Sequence, residues 1–238
     1  MGSLDRLGLL KTSLADYPGE VAAVLFTAGC NLRCPYCHNP ELVHGQHPAD
    51  FLSRDEVEAF LRKRANVLTG VCITGGEPLL HDGLAGLVDF IHGLGLKVKI
   101  DTNGMLPDRI APLEADYLAL DLKLAPERYA ESLAAPASAG ERIERAVLEV
   151  RRHPAPAEFR TTVVPGLVHR SDAERIVSML RPGDRYVLAA FHPGTTLDPI
   201  FEAVAAPPLK LLEEYAELAR AQGAECRIRA PRETSGSA

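Results

Sequence analysis

The sequence predicts an α/β fold in which a parallel sheet closes into a partial (β/α)6 TIM-like barrel, on three observations. Short β-rich runs alternate with amphipathic stretches about six times, the rhythm of βα units around a parallel sheet. Helix-start signals open two of those stretches. The chemistry-bearing motifs fall at the ends of successive strands, and a barrel gathers such ends on the one face where its sites are built. Periodicity without that last observation would suit a doubly wound sheet equally well.

In chain order, strands are expected at Glu20–Thr27, Gly70–Thr74, Lys97–Asp101, Asp116–Lys123, Glu158–Val164 and Arg185–His192, with a last one at Ala224–Arg229. Ser53-Arg-Asp-Glu56 and Ser171-Asp-Ala-Glu174 have capping-box spacing and mark helix starts. Leu84, Leu87, Val88 and Ile91 recur at helical spacing, as do Ile143, Val147 and Val150, and Leu211, Tyr215 and Leu218; these stripes are read as core faces. The segment Ala134–Gly140 reads as a loop between helical pieces, because the βα alternation resumes after it. A single domain over 1–238 is expected, with a short lead-in over 1–19.

A formal charge of −6 argues against a broad nucleic-acid or membrane surface, so a large partner is expected to be a protein. The first residues lack the apolar core of a signal peptide, and no run approaches the roughly 18 apolar residues of a membrane span. A cytoplasmic protein is therefore expected. Thiols stay reduced there, which makes clustered cysteines a metal or catalytic site rather than a disulfide framework. Cys72 and Cys226 stand alone in apolar, strand-like runs and read as buried thiols.

Directly after the first expected strand comes Cys30-Asn-Leu-Arg-Cys34-Pro-Tyr-Cys37-His38, a C-x3-C-x2-C array. Three thiolates can hold an iron–sulfur cubane while one iron keeps an open position for a ligand. Other motifs share letters with this loop. Cys34-Pro-Tyr-Cys37 matches a glutaredoxin dithiol, but that leaves Cys30 idle in a chain too long for such a domain. The same letters with His38 match haem attachment, which would want export. Structural zinc with His38 or His44 as fourth ligand lacks a second C-x2-C.

The loop resembles the cluster motif of the radical S-adenosylmethionine (SAM) superfamily, and further matches follow in order over most of the chain. Gly75-Gly76-Glu77-Pro78 resembles that family's GGE motif. The resemblance implies that Gly75, Gly76 and Glu77 bind SAM, with the carboxylate available to its ammonium group. Asp101-Thr102-Asn103-Gly104 and Asp121-Leu122-Lys123 resemble a narrower group, the activases of glycyl radical enzymes. There Asp101, Thr102 and Asp121 would ligate a monovalent cation (Na+ or K+) beside the SAM carboxylate, while Lys123 contacts SAM. His192, in Phe191-His192-Pro193-Gly194, and Tyr36 are further expected SAM contacts. Asp16-Tyr-Pro-Gly19 is similar to an activase Asp-Gly-Pro-Gly, with Tyr17 replacing the first glycine. Asp16, His38 and Arg160 are expected on the substrate side, Arg160 paired with Asp16.

The resemblance implies a [4Fe–4S] cluster on Cys30, Cys34 and Cys37, and the barrel fold of the superfamily. It implies reductive cleavage of SAM to a 5′-deoxyadenosyl radical, with no side chain needed as a general base. The stretch from Gly8 through Val43 is similar to activators of anaerobic ribonucleoside-triphosphate reductase, which install a glycyl radical on that partner. An electron donor such as flavodoxin or ferredoxin is implied. The alternatives are activation of pyruvate formate-lyase or another glycyl radical enzyme, or small-molecule chemistry of the 7-carboxy-7-deazaguanine synthase kind.

Overall fold

A computed structural model describes residues 4–230. Its elements, in chain order, are β1 (Arg6–Ser13), β2 (Ala22–Thr27), α1 (Pro40–Val43), β3 (Leu52–Ser53), α2 (Arg54–Arg64), β4 (Gly70–Gly75), α3 (Leu84–Gly93), β5 (Lys97–Thr102), β6 (Tyr117–Asp121), α4 (Tyr129–Ser132), α5 (Ala139–Arg152), β7 (Ala157–Val163), α6 (Arg170–Met179), β8 (Arg185–Ala190), α7 (Leu209–Ala221) and β9 (Glu225–Arg229). The strands form one sheet in the order β3-β1-β2-β4-β5-β6-β7-β8-β9. From β2 to β9 every neighbouring pair is parallel. Each new strand is added on the same side as the last. That is the winding order of a barrel; a doubly wound sheet would reverse direction once. The fold is thus α/β with a mostly parallel sheet.

Local chemistry explains the elements. The apolar runs of β4 and β6 are buried on both faces, as parallel strands covered by helices must be. Helix α2 begins where the serine signal places it: Glu56 N–H donates to Ser53 Oγ at 3.3 Å and Ser53 N–H donates to Glu56 Oε2 at 2.8 Å. Arg62, Lys63 and Arg64 in its last turn suit the negative end of the helix dipole. The stripes of α3 and α5 are buried in the main core. No helix among the described residues is long and apolar enough to cross a membrane.

Three expectations are corrected. The expected lead-in, of which residues 1–3 lie outside the described residues, contains strand β1, antiparallel to β2. With half its side chains exposed, β1 carries no clean period-two signal. Helix α6 starts at Arg170 rather than after Ser171, because buried Asp172 accepts the His169 N–H at 2.9 Å, ahead of the position the serine signal marks. Helix α7 turns Leu212, Tyr215, Ala216 and Ala219 inward, so Leu211 and Leu218 flank the buried face.

A candidate cofactor site at the ends of the parallel strands

The chain leaves β2 into the cysteine loop, which α1, the end of α4 and the loop beyond β8 then tie down. Gly29 N–H donates to Leu42 O at 2.7 Å and Arg33 N–H to Leu133 O at 2.9 Å. From beyond β8, Leu197 N–H donates to Cys37 O and Asp198 N–H to Pro35 O, both at 2.9 Å. Cys30, Cys34 and Cys37 are free thiols lining one cavity of about 200 Å³, together with Tyr36, Gly75, Gly76, Asp101, Asp121 and Lys123. Burial pushes the Cys34 thiol up to about 12 and the Cys30 thiol in the same direction, while Lys123 pulls both back. Metal binding removes such protons outright. Among the described residues no three His, Cys, Asp or Glu side chains come close enough to hold one metal ion. Three free thiols lining one cavity are the donor set that would hold an iron–sulfur cluster.

The two glycines serve a chain crossing as well as the cavity. Gly75 has φ +114°, and a Cβ on Gly76 would stand 2.0 Å from Gly29 O. Gly76 N–H donates to Thr27 O and Glu77 N–H to Gly29 O, both at 2.8 Å, so this turn carries the start of the cysteine loop. Glu77 itself turns inward. Its carboxylate, in a residue only 1% exposed, accepts from Leu79 N–H at 3.0 Å, Thr102 Oγ1 at 2.9 Å and Asn103 N–H at 2.7 Å. Burial pushes it up to about 7 against those three donors. Glu77 is not among the residues lining the cavity. It binds the end of β4 to the end of β5. Asn103, which sequence reasoning passed over, continues the link: its Nδ2 donates to Asn31 Oδ1 at 2.8 Å and lies 3.6 Å from Cys30 Sγ.

A row of alternating charges crosses the sheet beneath the cavity. Lys99 Nζ, 1% exposed, binds Asp101 Oδ1; Arg160 Nη1 binds Asp101 Oδ2 at 2.9 Å. Arg160 Nη2 binds Asp121 Oδ1 at 2.8 Å, and Lys123 Nζ lies 3.2 Å from Asp121 Oδ2. Burial works to raise both carboxyls, but the neighbouring cations outweigh it and hold both below the usual carboxylate range. Every carboxylate oxygen of the pair therefore faces a cationic donor. Thr102 Oγ1 donates to Glu77 and accepts from Gly104 N–H at 3.1 Å. The expected monovalent cation does not fit these residues, because a hard cation needs oxygens that are not already given to positive groups. Lys99 was also missed, although its spacing of two from Asp101 on β5 puts both on one face of the strand.

The remaining expected residues divide. Tyr36 is buried, lines the cavity and meets the Phe191 ring edge-on at 6.4 Å. His38 stacks on the same ring at 5.2 Å and its Nε2 lies 2.9 Å from His192 O. The His192 side chain is exposed and does not line the cavity; its carbonyl instead fastens the cluster loop to the end of β8. The expected Asp16–Arg160 pair does not form. Asp16 Oδ2 accepts from Ser13 Oγ at 2.5 Å before β2 begins, and Arg160 is committed to Asp101 and Asp121.

Residues 24–180 match the family model of the radical SAM superfamily. A protein of Methanocaldococcus jannaschii named "Putative glycyl-radical enzyme activating enzyme" is 31% identical over 232 residues, 90% of either chain. A 7-carboxy-7-deazaguanine synthase of Hyperthermus butylicus is 37% identical, over 38% of each chain. Among solved structures, a radical SAM methyltransferase from Sphaerobacter thermophilus superposes with a TM-score of 0.67 at 21% identity, covering 93% of this chain and 69% of that one; this likeness concerns the fold. The family implies a [4Fe–4S] cluster and SAM, for which the cavity with its three thiols has the donor set. The chain belongs to the radical SAM superfamily and is a radical SAM enzyme.

Proposed function

We propose that this enzyme is an activase that installs a glycyl radical on a partner protein, and that the partner is anaerobic ribonucleoside-triphosphate reductase. The observation that carries the activase reading is the likeness to the Methanocaldococcus jannaschii protein over 90% of both chains, where the deazaguanine synthase likeness spans 38%. The choice of partner rests on the stretch from Gly8 to Val43. A bound cluster with SAM supplies one-electron cleavage of a sulfonium and hence a carbon radical able to take hydrogen.

The chain's own residues do the rest. Cys30, Cys34 and Cys37 hold the cluster. Lys123, at the cavity wall with its charge held by Asp121, takes the SAM carboxylate. Gly75 and Gly76 let the amino-acid end approach the backbone, while Tyr36 offers an aromatic wall to adenine. Glu77 acts from behind, by fixing the glycine turn against Thr102 and Asn103. Beside this cavity lies a cleft of about 440 Å³ lined by Leu9, Leu10, Phe26 and Phe51, and His38 and Asn39 border both. In this reading a glycine-bearing loop enters there, beside His38 and Asn39. A flavodoxin or ferredoxin supplies the electron.

The test mixes the anaerobically reconstituted, reduced protein with SAM and, separately, anaerobic ribonucleotide reductase and pyruvate formate-lyase, and records EPR spectra. A glycine-centred doublet on the reductase alone is expected. A doublet only on pyruvate formate-lyase moves the partner assignment, and deoxyadenosine released without any protein radical overturns the activase reading. Cys34→Ala is expected to lose both the iron–sulfur absorption and SAM cleavage.

A further inference from the structure

We infer that Lys99 is a built-in replacement for a monovalent cation, a positioning residue that sets the charge of the SAM-carboxylate side of the cavity. The inference rests on the reading of this cavity as the SAM site. Lys99, Arg160 and Lys123 supply three positive charges and Asp101 and Asp121 two negative ones, which leaves the row at plus one. An inorganic cation on the same two carboxylates would serve the same end, offsetting their charge where a third carboxylate must enter. Here the carboxylate oxygens that would coordinate it already accept from Lys99, Arg160 and Lys123, and a further positive charge would be repelled by the row.

Lys99 holds this place by geometry. Its side chain is 1% exposed, while Asp101, two residues on along β5, lines the cavity. The ammonium group thus sits below Asp101, away from the ligand, with Cys72 Sγ 3.8 Å off as its other neighbour. It touches no ligand-facing surface, so it acts through Asp101. Arg160 then carries the balance across to Asp121, and Lys123 is left to present positive charge to the cavity.

The experiment measures SAM binding to the reconstituted protein by equilibrium dialysis in choline, sodium and potassium chloride at equal ionic strength. Wild-type affinity is expected to agree within about twofold in the three salts, because no cation is taken up. Lys99→Met brings the row to zero; its affinity in choline should fall about tenfold, and sodium or potassium should restore part of it by binding the vacated Asp101 oxygen. Should that variant fail to fold, Lys99→Met with Asp101→Asn removes the pair together, returns the row to plus one and is expected to bind SAM independently of the salt. Wild-type binding that rises about tenfold or more on adding sodium or potassium overturns the inference, as does Lys99→Met binding like wild type in choline. Absence of SAM binding by the wild type in every salt is a different result: it removes the reading of the cavity and the inference with it.

Discussion

Glu77 and Asp101 lie at the same end of the sheet, one just past β4 and the other within β5, and both are largely removed from water, Glu77 fully and Asp101 at the cavity wall, yet their carboxyls are pushed in opposite directions. Glu77 faces two backbone N–H groups and one hydroxyl, and burial pushes it up to about 7. Asp101 faces Lys99 and Arg160, and its carboxyl is held low. Neutral donors orient a buried carboxylate without offsetting its lost hydration, whereas full charges do both. One carboxylate is therefore a tie between strands, and the other is part of an electrostatic platform.

The sharpest way to break this contrast is to take the central cation from the platform. Arg160→Met leaves Asp101 and Asp121 without their shared partner, and a loss of about 3–5 kcal/mol in urea unfolding is expected. A midpoint unchanged from wild type would mean that the row is not a unit.

The next effect is in pH. Glu77 has a folded value near 7 against an ordinary 4.5, so its contribution to stability is complete below about 4.5 and is lost as pH rises through 7. In the cluster-free protein this amounts to as much as about 3 kcal/mol between those limits. Asp121 behaves oppositely: its contribution is present above its ordinary 3.8 and lost as pH falls toward its depressed folded value. Unfolding free energy measured against pH should fall off on both sides, with Glu77→Gln flattening the neutral limb and Asp121→Asn the acid limb. If Glu77→Gln leaves the neutral limb in place, another group is responsible for it.

A smaller effect tests whether the Glu77 tie reaches the cysteines. Asn103→Ala keeps the backbone bond to Glu77 but removes the side-chain bonds to Asn31 and Cys30 and the one that Asn103 Oδ1 accepts from Met105 N–H. A loss near 1 kcal/mol is expected, with faster release of iron to a chelator. Unchanged iron release would confine Glu77 to holding the strands. The smallest effect is expected for Asp16→Ala, within about 0.5 kcal/mol, since Asp16 serves only its local turn. A loss several times larger would restore the Asp16–Arg160 pair that the structure does not contain.

Much of the site is legible in the order of residues. The C-x3-C-x2-C spacing, the Gly-Gly turn and the Asp-Leu-Lys strand end are local patterns, and the cavity gathers them together. The seven expected strands overlap β2 and β4 to β9, because an apolar run bounded by turn residues is decided over about 5–8 residues of chain. Strand β1 escaped because its exposed side chains leave no regular alternation. The motif names Glu77 without giving the partners of its carboxylate, and those partners, Thr102 and Asn103, lie 25 and 26 residues away.

The division has a physical basis. Order along the chain by itself determined the period of each element, the ligand spacing within one loop and the end of each strand at which the chemistry is found, since these depend on bonded neighbours. Only the tertiary structure decided who neutralises whom. Arg160 is 59 residues from Asp101 and 39 from Asp121, and a charge turns to whichever partner packing brings within reach in a poorly hydrated interior. That choice gave Arg160 to the platform instead of to Asp16.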